Sequence, residues 1–561
     1  MVDRGWPALH VGEVEGVRAV WADVPGPLRA GLVVRVGSAD ETLPSAGVSH
    51  LLEHLALFGT GRPGDHSNGF TDQTVTMYHC SGDADLVRTF LTDVTRQLAA
   101  PPTHRLADEL GVLRAEAAGR GRSAEDTLLT WRYGAAGFGL AAQEQLGLAR
   151  LDADAVRAWA ARYATRGNSV LWFSGPPPAG IAVGLPDGDP VAPPDPRPAV
   201  LPRLPAWFRA DDASGIALYS VLERAWANGF LEDVLRDRLV DELRVKQAAA
   251  YSPGVGYRPV SRGAGRLLAL TDIVDGRQTD AVRIFLGILA DLGAERPPTE
   301  DELAAVRRRR EADHADPSAP LGFVTSAAWN LAVGTEPETY ESADAGFAGV
   351  TPDDVAAAAR SALAGAVAMV PQGVRMTREP WVEAPATVHE PVDGRSFEPV
   401  PGGPDGELVV GAGGVTRRSG GFHVTAPVGA VVAVQRYADG GRVLVADDGN
   451  RVVVEPTLWR HGQFAVEEVD GLFPEHLVVD MGARPADEIP RPRAAQAAAA
   501  AEAEAVTTRR KELMLLAVAL LVLAVVAAVA VVLAMNGRPV LIGPLLLGAL
   551  VSVWRARKKV P

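Results

Sequence analysis

Residues 47–60 read GVSHLLEHLALFGT. Val48, Leu51, Leu52, Leu55 and Leu57 recur at the spacing of a largely buried helix. On that helix His50 and His54 lie one turn apart on one face. Two imidazoles so placed can bind one divalent metal ion, and zinc is the commonest choice. Glu53 points close to the same face; it is crowded as a ligand, but it can take a proton from a water at the metal. The order H-x-x-E-H is the inverse of the commoner zincin order. Taken alone, these five residues also suit two buried histidines beside a satisfied glutamate.

A metal site needs a third ligand. The segment ADELGVLRAEAAGRG (107–121) carries Glu109 and Glu116, seven apart and so two turns along one helix face. Most such pairs form a solvated face. The whole stretch, however, resembles the insulinase/pitrilysin family of zinc peptidases. There a G-x-x-H-x-x-E-H-x-x-x-x-G-T segment precedes a helix with two glutamates at this spacing. The resemblance implies Zn²⁺ on His50, His54 and Glu116, Glu53 as general base, and Glu109 supporting the site from behind. The interval from His54 to Glu116 is shorter here than in the family.

With 561 residues the chain has room for three or four domains. Its formal net charge of −14, without a basic stripe, argues against nucleic-acid binding. The single cysteine, Cys80, excludes an intrachain disulfide framework and reads as a small buried side chain. The N-terminal residues have neither a basic nor an apolar signal region, so no signal peptide is expected. Two strands, GVRAVWADV and AGLVVRVGS, precede the metal helix. A strand from Phe70 to Cys80 and helices near 82–99, 103–119, 124–136 and 152–164 follow, and NSVLWFSG closes a domain of residues 1–178. In the family an Asn-x-aromatic-Thr segment forms the sheet edge where substrate lies; Asn68, Phe70 and Thr71 match it. An extended peptide gains main-chain hydrogen bonds at such an edge whatever its sequence.

After a Pro-rich connection, residues 199–373 repeat the order of strands and helices, with a long helix read over 214–243. It runs into LRVKQAAAYS (243–252), which resembles a family L-R-x-K-x-x-x-A-Y-S segment whose arginine and tyrosine face the metal. The resemblance gives those places to Arg244 and Tyr251. Alone, they read as a surface arginine and a strand tyrosine. An arginine can bind a peptide carbonyl or carboxylate, and a tyrosine hydroxyl can donate to a developing oxyanion.

Residues 374–406 read as a Pro-rich linker and 407–482 as a small antiparallel β domain, for which a pleckstrin-homology-like barrel is one fitting arrangement. A linker or stalk (483–512) follows. The apolar run 513–535 would span about 34 Å as a helix, enough to cross a bilayer. A second, shorter run covers 539–554. Basic residues flank the outer ends of both, predicting a hairpin with the catalytic body cytoplasmic.

The expected fold class is thus α+β, with two homologous insulinase-type α/β-sandwich domains, a β domain and a membrane hairpin. The expected function is a membrane-anchored zinc metalloendopeptidase acting on peptides or unfolded segments. The resemblance covers about residues 8–372 and amounts to half of the family's four-domain enclosure. It therefore implies a homodimer or pairing with a second insulinase-like subunit. The alternatives are an inactive peptidase-like scaffold at the membrane and an adaptor working through the β domain.

Overall fold

The structure, a computed structural model, describes residues 7–60, 66–211, 213–374, 376, 379–493, 510, 511, 513 and 514. The chain divides into two compact units, one of residues 1–397, 406–456 and 461–484, the other of 398–405, 457–460 and 485–561.

The larger unit opens with β1 (His10–Val14) and β2 (Val17–Trp21). The turn residues Glu15 and Gly16 both have positive φ, 49° and 76°, as a tight two-residue hairpin requires. The sequence reading starts its first strand at Gly16 and so omits β1. Next come β3 (Leu28–Val34), α1 (Val48–Leu57), β4 (His66–Thr71), β5 (Thr76–Gly82), α2 (Ala84–Ala99), α3 (Leu106–Gly119), α4 (Ala124–Tyr133), α5 (Ala153–Tyr163) and β6 (Ser169–Phe173). Their sheet has the order β1-β2-β6-β3-β5-β4, with only β2 and β6 parallel. Leu51 and Leu55 of α1, Phe90 and Leu91 of α2 and Val156 of α5 bury against Leu32, Tyr78 and Phe173 of the sheet. Cys80 is buried in the same core.

The second half comprises β7 (Ala206–Ala210), β8 (Gly215–Glu223), α6 (Trp226–Leu239), β9 (Gly254–Pro259), β10 (Ala264–Asp272), α7 (Gln278–Gly293), α8 (Glu300–His314), α9 (Ala319–Ala332), α10 (Tyr340–Ala348), α11 (Pro352–Ala364), β11 (Val367–Pro371) and β12 (Val382–Glu383). Its sheet order is β12-β7-β11-β8-β10-β9. Without the edge strands β1 and β12, the two sheets match strand for strand. The parallel pair β7–β11 stands where β2–β6 stands, and α6 occupies the chain position of α1. The helix expected over 214–243 is corrected: Gly215–Glu223 is a strand, and the helix begins at Trp226. A continuous apolar run such as IALYSVL suits a doubly buried strand as well as a helix, and pairing on both sides decides for the strand.

The halves exchange helices. Leu128 and Leu129 of α4 pack with Phe208, Tyr219 and Met369 of the second sheet, and Trp131 stacks on Phe208 at 4.2 Å. Val324, Ala327 and Ala328 of α9 pack with Val20, Val170 and Trp172 of the first.

A third region carries two four-stranded sheets. One is β13 (Arg395–Phe397), β14 (Glu407–Gly411), β15 (Gly414–Ser419) and β16 (Phe422–Pro427). The other is β17 (Val431–Tyr437), β18 (Arg442–Ala446), β19 (Arg451–Val454) and β20 (Val478–Met481), with α12 (Gly462–Asp470) before β20. β20 joins β17 in parallel, a departure from the antiparallel expectation. The segment expected as a linker, 374–406, supplies β12 and β13. In the smaller unit the backbones of Val400 and Leu458 bond at 3.0 Å, and Thr457 Oγ1 donates to the Pro490 carbonyl at 2.9 Å.

The expected membrane hairpin, and with it the membrane localisation and cytoplasmic orientation, is corrected. Among the described residues no helix is long and apolar enough to cross a membrane. The runs 513–535 and 539–554 lie outside the described residues except for Leu513 and Met514.

Candidate metal centre

The chain enters α1 through Gly47, whose left-handed φ of 99° suits glycine. Gly47 has no side chain to cap the helix, and Glu41 does that work from upstream. Its two carboxylate oxygens accept from Gly47 N and Ser49 N, each at 2.8 Å. Burial pushes the Glu41 carboxyl up to about 7, against the lowering effect of those two hydrogen bonds.

One turn on, His50 and His54 stand with ring centroids 4.9 Å apart. Leu110 and Leu113 are the buried residues of α3, and seating them in the core brings Glu109 and Glu116 to α1. Glu116 Oε2 lies 3.8 Å from Nε2 of His50 and 3.8 Å from Nε2 of His54. These three residues form a group whose ligand atoms all lie within 4.8 Å of one another, and together they could hold a metal ion. Two imidazoles and a carboxylate are a donor set that zinc accepts, leaving a further position open. Burial and then the neighbouring His54 lower the His50 pKa, which keeps the lone pair free for a metal. Behind the rings, Glu109 Oε2 sits 3.4 Å from His54 Nδ1, and the Gln145 amide sits 3.2 Å from His50 Nδ1.

Glu53 is buried, and its Oε2 lies 3.9 Å from His50 Nε2. Burial raises its carboxyl to about 7; His54 and a hydrogen bond from Thr71 Oγ1 at 3.4 Å oppose the rise. Its neighbour across the site is β4. A β-carbon on Gly69 would fall 2.9 Å from Glu53 Oε1 and 3.1 Å from its Cγ, so this strand position admits the carboxylate because it is glycine.

Part of this arrangement lies within a stretch that matches a family model. Residues 28–94 match the family Insulinase (Peptidase family M16). The matched span holds His50, Glu53, His54 and β4, and ends before Glu109. No curated protein matches the sequence. Among solved structures, a protease from Helicobacter pylori is similar at TM-score 0.54 and 15% identity, over 65% of this chain and 100% of that one. The peptidase M16 inactive domain from Pseudomonas fluorescens is similar at 0.53 and 15%, over 66% and 100%. The first half of the periplasmic protease PqqL from Escherichia coli is similar at 0.50 and 14%, over 65% and 92%. At these identities the likeness is one of fold: a tandem M16-like α+β arrangement.

The other expected site residues fall in two places. Asn68, Phe70 and Thr71 lie on β4, an edge strand bonded, among the described residues, only to β5. Asn68 and Phe70 are exposed, Phe70 to 43%, while Thr71 turns inward to Glu53. Arg244 belongs to a π-helical turn, Val240–Lys246, that continues α6. Its guanidinium stands 5.3 Å from the centre of the Tyr251 ring, which is 70% exposed. Among the described residues no hydrogen bond or ion pair joins this pair to His50, His54 or Glu116. Sequence reasoning missed Glu41, Gly69 and Gln145. None carries a local signal: the expected strand begins at Phe70, and only the structure extends β4 back to His66 and so encloses Gly69.

A second group of possible ligands joins Asp447 and Asp448 of the β domain to His389 of the preceding segment. Asp447 pairs with His389 at 2.8 Å, and both Asp448 oxygens accept from Asn450, so this group is used by its own turn.

Proposed function

We propose that this chain is a zinc-dependent endopeptidase of the insulinase type. The observation that carries the reading is the approach of Glu116 to both histidine Nε2 atoms, with Glu53 buried beside them. Zn²⁺ held by His50, His54 and Glu116 would supply Lewis acidity toward water and the scissile carbonyl. Glu53 takes the proton of the attacking water and returns it to the leaving amine. The inward hydrogen bond from Thr71 and the close backbone of Gly69 hold that carboxylate in one place. An extended peptide adds to the free edge of β4, beside Asn68 and Phe70. Arg244 and Tyr251 meet the substrate from the second half, Tyr251 donating to the developing oxyanion.

The E. coli neighbour is the first half of its protease, and this chain covers 92% of that half. This supports pairing with a second copy or a second insulinase-like subunit to enclose a substrate. The Pseudomonas neighbour is an inactive domain, which supports a second reading as a peptidase-like subunit without turnover.

The test is zinc content and cleavage of a random peptide pool, parent beside Glu53→Gln. One zinc in both with cleavage only in the parent supports the enzyme. Zinc without cleavage favours the second reading, and absence of zinc removes the metal centre.

A further inference from the structure

Gln145 meets His50 from a segment that the β domain holds on both flanks. The segment, residues 134–150, leaves α4 at Gly134, whose φ is 65°. A β-carbon on Gly134 would overlap the Asp447 carbonyl oxygen, and Ala135 N donates to that same oxygen at 3.0 Å. At the far end, Arg150 Nη1 donates to the carbonyls of His476 and Val478, each at 3.2 Å. Between these anchors Leu146 packs with Ala433 and Val445 of the second β-domain sheet. The same small core includes Leu43 and Ala46, which lead directly into α1. Gly147 lies against this lead-in so closely that a β-carbon would meet the Ala46 carbonyl oxygen at 2.6 Å.

Glycine contacts, a backbone hydrogen bond, two arginine hydrogen bonds and an apolar cluster therefore fix the height of Gln145 above the metal helix. Gln145 Nε2 lies 3.2 Å from His50 Nδ1, the ring nitrogen turned away from Glu116; a metal at His50 Nε2 would leave the proton on Nδ1, and a half-turn of the Gln145 amide would bring its oxygen to accept it. A group accepting from the far nitrogen of a metal-binding imidazole sets the ring's tautomer and its orientation.

We infer that the β domain is a positioning part of the metal centre: it clamps residues 134–150 so that Gln145 orients His50. Gln145 is a positioning residue, acting through His50. The inference rests on His50 as a metal ligand, and it makes the β domain an integral part of the peptidase half.

The test uses the full chain and zinc itself, with affinity read by competition against a chelator and folding read by melting of the chelated protein. Gln145→Leu binds zinc roughly 10- to 100-fold more weakly at an unchanged melting temperature, whereas Gln145→Glu, which keeps an acceptor oxygen, stays within a few-fold of the parent. Arg150→Ala, altering only the clamp, weakens zinc binding several-fold. The double variant Gln145→Leu with Arg150→Ala binds no more weakly than Gln145→Leu alone, because both act along one route. Equal zinc affinity in Gln145→Leu and the parent overturns the inference. Additive losses in the double variant overturn the part assigned to the β domain. A parent that binds no zinc overturns the metal reading itself, so the two failures are distinguishable.

Discussion

The carboxylate of Glu53 and the backbone of Gly69 share a space that no β-carbon can enter without displacing Oε1, 2.9 Å away. This contact joins the helix of the candidate metal centre to the strand on which substrate would lie, so one small change at position 69 reads out the proposed base.

Gly69→Ala should therefore push Glu53 off its position while leaving His50, His54 and Glu116 in place. We expect peptidase activity to fall by roughly 10-fold or more, since general-base catalysis contributes about 10²–10⁴-fold and depends on geometry. Zinc content should stay at the parent level. Parallel measurement of metal and turnover checks this, and full activity in the variant contradicts the placing of the base.

Glu53→Gln keeps the shape and one acceptor oxygen but cannot take a proton. Turnover should drop about 10²–10⁴-fold with zinc retained. His50→Ala and Glu116→Ala should instead lose most of the zinc, because each removes one of the three proposed ligands. Stoichiometric zinc in either alanine variant would point to other ligands.

Glu41 gives a pH signature remote from the reacting atoms. Its folded pKa is raised to about 7 from an ordinary value of 4.5, so folding takes up a proton between those values. The contribution is fully present below about pH 4.5 and is lost as pH rises through 7, and it amounts to on the order of 3 kcal/mol. Denaturant melts of the chelated parent should show this loss between pH 5 and 8. Glu41→Gln should show a smaller loss, with the difference between the two proteins isolating Glu41; parallel pH profiles would show that this carboxyl is not the source.

Tyr251→Phe should slow peptide turnover by roughly 10-fold or more if its hydroxyl donates to the oxyanion. Its 70% exposure means that the fold should not notice the change. An unchanged rate with a native melt would remove Tyr251 from the mechanism.

What could be read from the chain follows the range of the forces involved. His50, Glu53 and His54 are set by helical periodicity within two turns, and the spacing of Glu109 and Glu116 is equally local. The sequence by itself therefore determined that two imidazoles and a carboxylate share a helix face, and that a second helix presents two glutamates in line. The apolar run 216–222 has no such local discriminator, and only pairing with β10 and β11 made it a strand rather than a helix. Residues 513–535 and 539–554 read as membrane-spanning by hydropathy, but among the described residues no helix is long and apolar enough to cross a membrane. Only the tertiary structure decided that Glu116 reaches both histidines, that Glu41 caps the metal helix, and that Gln145 meets His50 from a segment held by the β domain. The Glu116 and Gln145 contacts join residues far apart in sequence, and the Glu41 contact crosses a turn outside the helix. Their meeting depends on how helices and sheets bury one another's apolar faces, which no spacing along the chain encodes.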